Sequence, residues 1–322
     1  MNILILGGHG FIGSHTALHL KKRGHSVAVV DIHHQYGEYE NWEYEPVLKQ
    51  RLEHIGDHNH YIGDVTDAKF LERVFEKENP QKVIDLATYP NAKMVKKNVV
   101  DATNNMISAT AIALDLSAKY NVNRFVLASS SMVYGDFNKI GSRPTENSYC
   151  DPLTLYGSYK LQCEKMCQIW HKEHGLEYSI LRPSALYGTR DMVVRVISKM
   201  TVNALKNEKM VVQGPNNKLD FSWVDDVANA FVEATLHSSA ANEIFNCTRG
   251  NGRRIIDAAE IIREKIPAEI IVKPHDEFYP NRDTLDSSKL KEYTNWSPKV
   301  DIEQGIPEYL NWFLNQEFVE YF

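Results

Sequence analysis

The chain opens on a short apolar run, Ile3–Leu6, that breaks directly into Gly7-Gly8-His9-Gly10-Phe11-Ile12-Gly13. A run of that length ending in glycines predicts a buried parallel strand and a tight turn. Phe11–Arg23 then reads as a helix stopped by Gly24, and Val27–Val30 as a second strand ending at Asp31. Gly8, Gly10 and Gly13 satisfy G-x-G-x-x-G, and Gly7, Gly10 and Gly13 satisfy G-x-x-G-x-x-G. Such a turn lays bare backbone against a pyrophosphate, and the following helix N-terminus adds N–H donors and a positive dipole end. Gly13 lets that helix lie close to the strand. Asp31 is placed to accept hydrogen bonds from ribose hydroxyls and to repel a 2′-phosphate. Only His33 and His34 follow it, with no nearby Arg or Lys, so the pattern predicts NAD rather than NADP.

Strand and helix signals keep alternating. Tyr61-Ile62 (strand), Ala68–Lys77 (helix), Val83–Leu86 (strand), a long helix around Ala102–Lys119 and Phe125–Ala128 (strand) come in turn. Tyr156–His174 (helix) and Tyr178–Leu181 (strand) follow. This rhythm predicts an α/β fold, a doubly wound parallel sheet with helices on both faces. After Pro183 it gives way to short strands and Gly/Pro/Asn turns, as at Gly214-Pro215-Asn216-Asn217. We read residues 1–182 as a cofactor-binding domain and 183–322 as a smaller mixed α/β substrate-binding portion. Residues 242–248, centred on a strand at Glu243–Cys247, return to the first sheet. Between Ile32 and about His60 lies a polar, aromatic stretch. Its 33–46 segment, with Tyr36, Tyr39, Trp42 and Tyr44 among acids, reads as a solvated loop in preference to a flap or subunit contact.

The 322 residues suffice for a large core, and a net charge of −6 offers no basic surface for nucleic acid. No run reaches the roughly 18 apolar residues of a membrane span, and the opening lacks a signal peptide's features, which points to the cytoplasm. The four cysteines match no zinc or redox spacing, and Cys163 and Cys167 read as half-buried thiols on one helix. His54, His58 and His60 crowd together without a spacing that completes a metal site, and no metal is expected.

Tyr156 and Lys160 are four apart, which on a helix puts both side chains on one face. A phenol of ordinary pKa, about 10, is a poor base near neutrality. A neighbouring ammonium and a cationic nicotinamide both favour the phenolate. Ser129-Ser130-Ser131 ends an upstream strand, where a hydroxyl can hydrogen-bond a reacting alcohol.

In this order the motifs resemble the extended short-chain dehydrogenase/reductase superfamily, in particular its NAD-dependent nucleotide-sugar epimerases and dehydratases. The resemblance spans essentially the whole chain. It is carried by GGHGFIG, LASSSMVYG (127–135), YGSYKLQCE (156–164), LRPSALYG (181–188), LDFSWVDDVANA (219–230), DSSK (286–289) and WSPK (296–299). It implies a Rossmann-type N-terminal domain, Tyr156 as base, Lys160 as its electrostatic partner and ribose anchor, and Ser130 as the hydroxyl-orienting residue. Ser131 is the next candidate for that role and a substrate contact. Gly7, Gly10, Phe11, Ile12, Gly13, Asp31, Asp64, Val65, Leu86, Ala87, Tyr156, Lys160 and Pro183 are the expected cofactor contacts. Asn105 matches the family's helix asparagine.

The departures matter as much. The fourth strand, which usually ends in a His-Ala pattern, reads Asp85-Leu86-Ala87-Thr88. Dehydratases and decarboxylases usually carry an acid immediately before the VYG-like segment. Here that position is Met132, which transfers no proton. The arginine often found before the C-terminal Asp-Phe is Leu219, leaving Arg282 as either a substitute cation for a substrate diphosphate or a surface residue. The resulting expectation is a nucleotide-sugar epimerase, a homodimer, oxidising a hydroxyl at C4 through a keto intermediate. The alternatives are a nucleotide-sugar 4-dehydrogenase of surface-polysaccharide synthesis, acting for example on a GDP-heptose or deoxysugar, and a non-catalytic NAD-binding regulator.

Overall fold

A computed structural model of the chain describes residues 1–34, 41–140, 143–192 and 195–321. The first half comprises β1 (Asn2–Leu6), α1 (Phe11–Lys22), β2 (Ser26–Asp31), α2 (Asn41–Ile55), β3 (Asn59–Ile62), α3 (Ala68–Glu78) and β4 (Lys82–Asp85). It continues through α4 (Ala92–Lys97), α5 (Val99–Thr103), α6 (Ala109–Lys119), β5 (Arg124–Ala128), α7 (Phe137–Ile140), α8 (Leu155–His174) and β6 (Glu177–Arg182). The second half holds β7 (Ala185–Tyr187), α9 (Val196–Leu205), β8 (Met210–Gln213), β9 (Lys218–Leu219), β10 (Phe221–Trp223) and α10 (Val224–Leu236). Then come β11 (Glu243–Asn246), β12 (Arg253–Arg254), α11 (Ile255–Lys265), β13 (Ile270–Lys273), α12 (Ser288–Tyr293) and α13 (Ile302–Leu314).

Seven strands form one parallel sheet in the order β11-β6-β5-β4-β1-β2-β3. The sheet is Rossmann-like, and chain direction across it reverses between β1 and β4. That switch point opens a crevice at the carboxyl ends of the strands. β1 and β5 are near-continuous apolar runs because both faces are covered. One face packs on Val74 and Phe75 of α3, Leu114 of α6, and Cys163 and Cys167 of α8. The other packs on Ala17 and Leu20 of α1, and Val227 and Phe231 of α10. So α10, although late in sequence, belongs to the first sheet's covering layer, and β11 extends that sheet by pairing with β6. A separate core gathers Ile197 and Met200 of α9, Val212 of β8, Ile262 of α11, and Leu310 and Phe313 of α13. Among the described residues no helix is long and apolar enough to cross a membrane.

One sequence reading needs correction. The 33–46 segment is not a solvated loop throughout: from Asn41 it runs into the 15-residue helix α2. Its signal was masked by Pro46 and by surrounding acids and aromatics. Val47, Arg51 and Ile55, at helical spacing, are nevertheless its buried face. Tyr36, Glu38 and Tyr39 of the same segment lie outside the described residues. The long helix around Ala102–Lys119 is present, running without a break through α5, one π-helical turn at Asn104–Ser108, and α6.

Candidate active site

The glycine turn is compressed to backbone on both sides. Gly7 has φ +72°, and a Cβ there would lie 2.8 Å from the backbone nitrogen of Ala87. A Cβ on Gly13 would fall 2.4 Å from the carbonyl oxygen of Gly7. Any side chain at either position would break the approach of α1 to β1 and β4. The turn therefore presents bare N–H groups at the start of α1, the arrangement that receives a pyrophosphate. At the end of β2, Asp31 accepts from the backbone N–H groups of His9 and His33, both at 3.0 Å, and faces the cleft. Bare backbone and a fixed carboxylate together fit a dinucleotide.

One cleft gathers the residues that follow successive strand ends. Gly7, Gly10, Phe11, Ile12, Gly13, Asp31, Asp64, Val65, Leu86, Ala87, Ser130, Tyr156, Lys160 and Pro183 all line it. Asp64 closes its own turn by accepting from the N–H of Thr66 at 2.8 Å. Sequence reasoning missed Tyr44, Leu48 and Arg51, which α2 supplies, and Met192 and Arg195 from the second half. Arg51 donates to the carbonyl oxygen of Arg190 at 2.7 Å, and Arg195 lies 4.9 Å from the Phe11 ring centre. Asn105 lines the cleft from the π-helical turn, a distortion often found at functional sites.

Thr154 caps α8 by accepting from the N–H of Gly157 at 3.2 Å, which starts the helix one residue before Tyr156. Lys160 is buried and donates to the carbonyl oxygen of Ala128 at 2.7 Å. Beneath it Asp85 is fully enclosed, accepting from Thr110 Oγ1 and the Ala87 N–H, each at 3.2 Å. Burial pushes its carboxyl up to about 6, with Lys160 pulling the other way. Ser130 caps a short 3-10 turn by accepting from the Met132 N–H at 3.2 Å.

Behind the serines runs a buried ionic network. Arg182 pairs with Glu164 at 2.6 and 2.8 Å, and Ser129 donates to the same carboxylate. Arg182 also donates to Tyr134 Oη at 2.9 Å, which donates to Asn246 at 2.7 Å. β5, α8, β6 and β11 are thus cross-tied immediately below the cleft.

Ser131 and Arg282 stand apart. Ser131 is fully buried, donates to Ser184 Oγ at 3.3 Å, and is absent from the cleft lining. Arg282 also lies outside that lining, but it is no solvated surface residue. Its Nε is buried with no hydrogen-bond partner among the described residues, and burial disfavours its charge, with Tyr279 opposing. The described residues contain no group of three or more His, Cys, Asp or Glu arranged to hold a metal ion.

The profile of the NAD-dependent epimerase/dehydratase family matches residues 3–248. A Methanocaldococcus jannaschii protein provisionally named UDP-glucose 4-epimerase is 31% identical over 323 aligned positions, spanning 97% of this chain and 98% of that one. The crystal structure of Thermotoga maritima UDP-glucose 4-epimerase with UDP-glucose superposes with a TM-score of 0.86 at 27% identity, covering 98% and 99% of the two chains. A Bacillus anthracis dTDP-glucose 4,6-dehydratase in complex with NAD gives 0.84 at 25% identity, covering 99% and 98%. Whole-length likeness to both reaction types, on a glycine cradle joined to a Tyr-Lys pair, places this chain in the NAD-dependent epimerase/dehydratase family.

Proposed function

We propose that the chain is an NAD-dependent nucleotide-sugar epimerase that oxidises a sugar hydroxyl, at C4, and reduces the resulting ketone on its opposite face. One observation carries this reading. Tyr156, Lys160 and Ser130 share a cleft with the cofactor cradle, while the position before the VYG segment is the buried Met132. The first three supply alcohol oxidation, and the fourth withholds the acid that elimination or decarboxylation needs. NAD, when bound, supplies the acceptor and the returning donor of the hydride. Tyr156 takes the hydroxyl proton as the carbonyl forms and gives it back when the ketone is reduced. Ser130 holds the reacting hydroxyl in line, and Lys160 places a positive charge beside the phenolate. No net oxidation results, so no second substrate is required.

The nucleotide-sugar assignment draws support from the relatives above, and Arg282, whose buried Nε has no hydrogen-bond partner among the described residues, is the cation proposed for the diphosphate. Incubation with UDP-, GDP-, CDP- and dTDP-sugars tests the reading, with products identified and cofactor absorbance followed. A C4 epimer without accumulation of reduced cofactor is expected. A released ketone with stoichiometric reduced cofactor would make the enzyme a dehydrogenase instead.

A further inference from the structure

His9, 1% exposed in the glycine turn, meets an imidazole at each ring nitrogen. Its Nδ1 lies 2.7 Å from Nε2 of His33, and its Nε2 lies 2.8 Å from Nε2 of His58. Nδ1 of His58 lies 2.6 Å from the carbonyl oxygen of Gly56. A carbonyl only accepts, so His58 carries its hydrogen on Nδ1 and presents a lone pair at Nε2. His9 must then donate from Nε2 and accept at Nδ1, and His33 must donate from Nε2. One carbonyl thereby sets the tautomers of three rings.

The relay joins three segments that surround Asp31: the glycine turn, the residues after β2, and the approach to β3. The backbone N–H groups of His9 and His33 are the ones that hold the Asp31 carboxylate. We propose that His9, His33 and His58 are positioning residues, a neutral imidazole relay that fixes Asp31 for the cofactor ribose. The inference rests on the reading of Asp31 as ribose acceptor.

The surroundings favour neutral rings. Burial, then the imidazoles of His33, His58 and His60 and the Arg51 guanidinium, bring His9 down to about 3. Burial lowers His33 against the pull of Asp31. Burial also lowers His58, assisted by His60 and Lys21 and opposed by its bond to Gly56 and by Asp57. Depressed values of this kind keep the rings neutral at pH 7.5 in the folded chain, which leaves the relay whole there.

Long-range ¹H–¹⁵N spectra of the full chain test the relay directly. Hydrogens on Nε2 of His9 and His33 and on Nδ1 of His58 are expected at pH 7.5, and any other tautomer at His9 or His58 overturns it. Calorimetric NAD affinity at pH 7.5 tests the consequence, using His58 because it does not line the cleft. His58→Leu should bind NAD about three- to tenfold more weakly than wild type, the effect of one or two lost hydrogen bonds. His58→Gln, whose amide oxygen accepts from His9, should bind like wild type. If His58→Leu does not fold, His58→Ala takes its place. Wild-type affinity in the variant that lacks an acceptor, or a loss in His58→Gln as large as in that variant, overturns the proposal. Asp31→Asn separates the two readings. If it leaves NAD binding unchanged, the ribose role fails and the relay's purpose with it. If it weakens NAD while His58→Leu does not, the relay alone fails.

Discussion

Lys160 and Tyr156 meet across one turn of α8, the ammonium nitrogen 5.9 Å from the centre of the phenol ring. The carbonyl of Ala128 fixes the lysine from below, so the charge cannot swing away from the phenol. Tyr156→Phe keeps the ring and its packing but deletes the proton acceptor. Turnover should fall by about 10²–10⁴, the usual contribution of a general base, with folding and NAD binding retained. Lys160→Met should lose turnover and also weaken NAD. Steady-state rates and NAD affinity of both variants check this. Turnover of Tyr156→Phe within a factor of about three of wild type, well below the general-base range, would refute the assignment.

Asp31 sets the second expectation. A 2′-phosphate would meet a carboxylate already held in place by two backbone N–H groups. NAD should therefore bind more tightly than NADP, and Asp31→Asn should weaken NAD while narrowing the gap. Calorimetry with both dinucleotides measures the difference. Tighter binding of NADP by wild type would reverse the assignment.

What the sequence made legible follows from the range of the forces involved. Strand ends, glycine turns and helix spacing are local, so the glycine cradle, Asp31 and the Tyr156-Lys160 face are legible from the residues themselves. Asp31 and Tyr156, far apart in the chain, are joined by the order of the motifs and the family that order resembles. Contacts set by tertiary packing were not legible. α2 was hidden because its buried stripe is short and interrupted by Pro46, and Arg51 was lost with it. Arg195 reaches Phe11 from the second half, where no periodicity announced a helix. The histidines at 9, 33 and 58 come from three segments, and nothing in their spacing predicts that their ring nitrogens meet.

A homodimer is the third expectation. The exposed apolar side chains include Val99 and Val100 on α5, and Leu155 and Ile169 on α8, with Val100 78% exposed. Two helices carrying such residues on the outside suit pairing about a two-fold axis. Light scattering at micromolar concentration should give twice the chain mass, and Val100→Asp should lower it. A wild-type monomer under those conditions would leave these residues unexplained and end the dimer reading.

The last expectation concerns Asp85, which stands where the family usually carries histidine. Its carboxyl is enclosed, accepts from Thr110 and Ala87, and is pushed by burial up to about 6 despite Lys160. A carboxyl whose folded value lies above the unfolded one stabilises the fold fully below the ordinary carboxylate range. That stabilisation is lost as pH rises through about 6. Asp85→Asn keeps the shape and an acceptor oxygen for both donors but cannot ionise. It should therefore gain stability relative to wild type at pH 7.5, on the order of 2 kcal/mol, with most of that advantage gone by pH 4.5. Urea unfolding of both proteins at the two pH values measures the difference. An advantage that does not shrink on acidification would mean that Asp85 is uncharged, or fully compensated by Lys160, throughout the range.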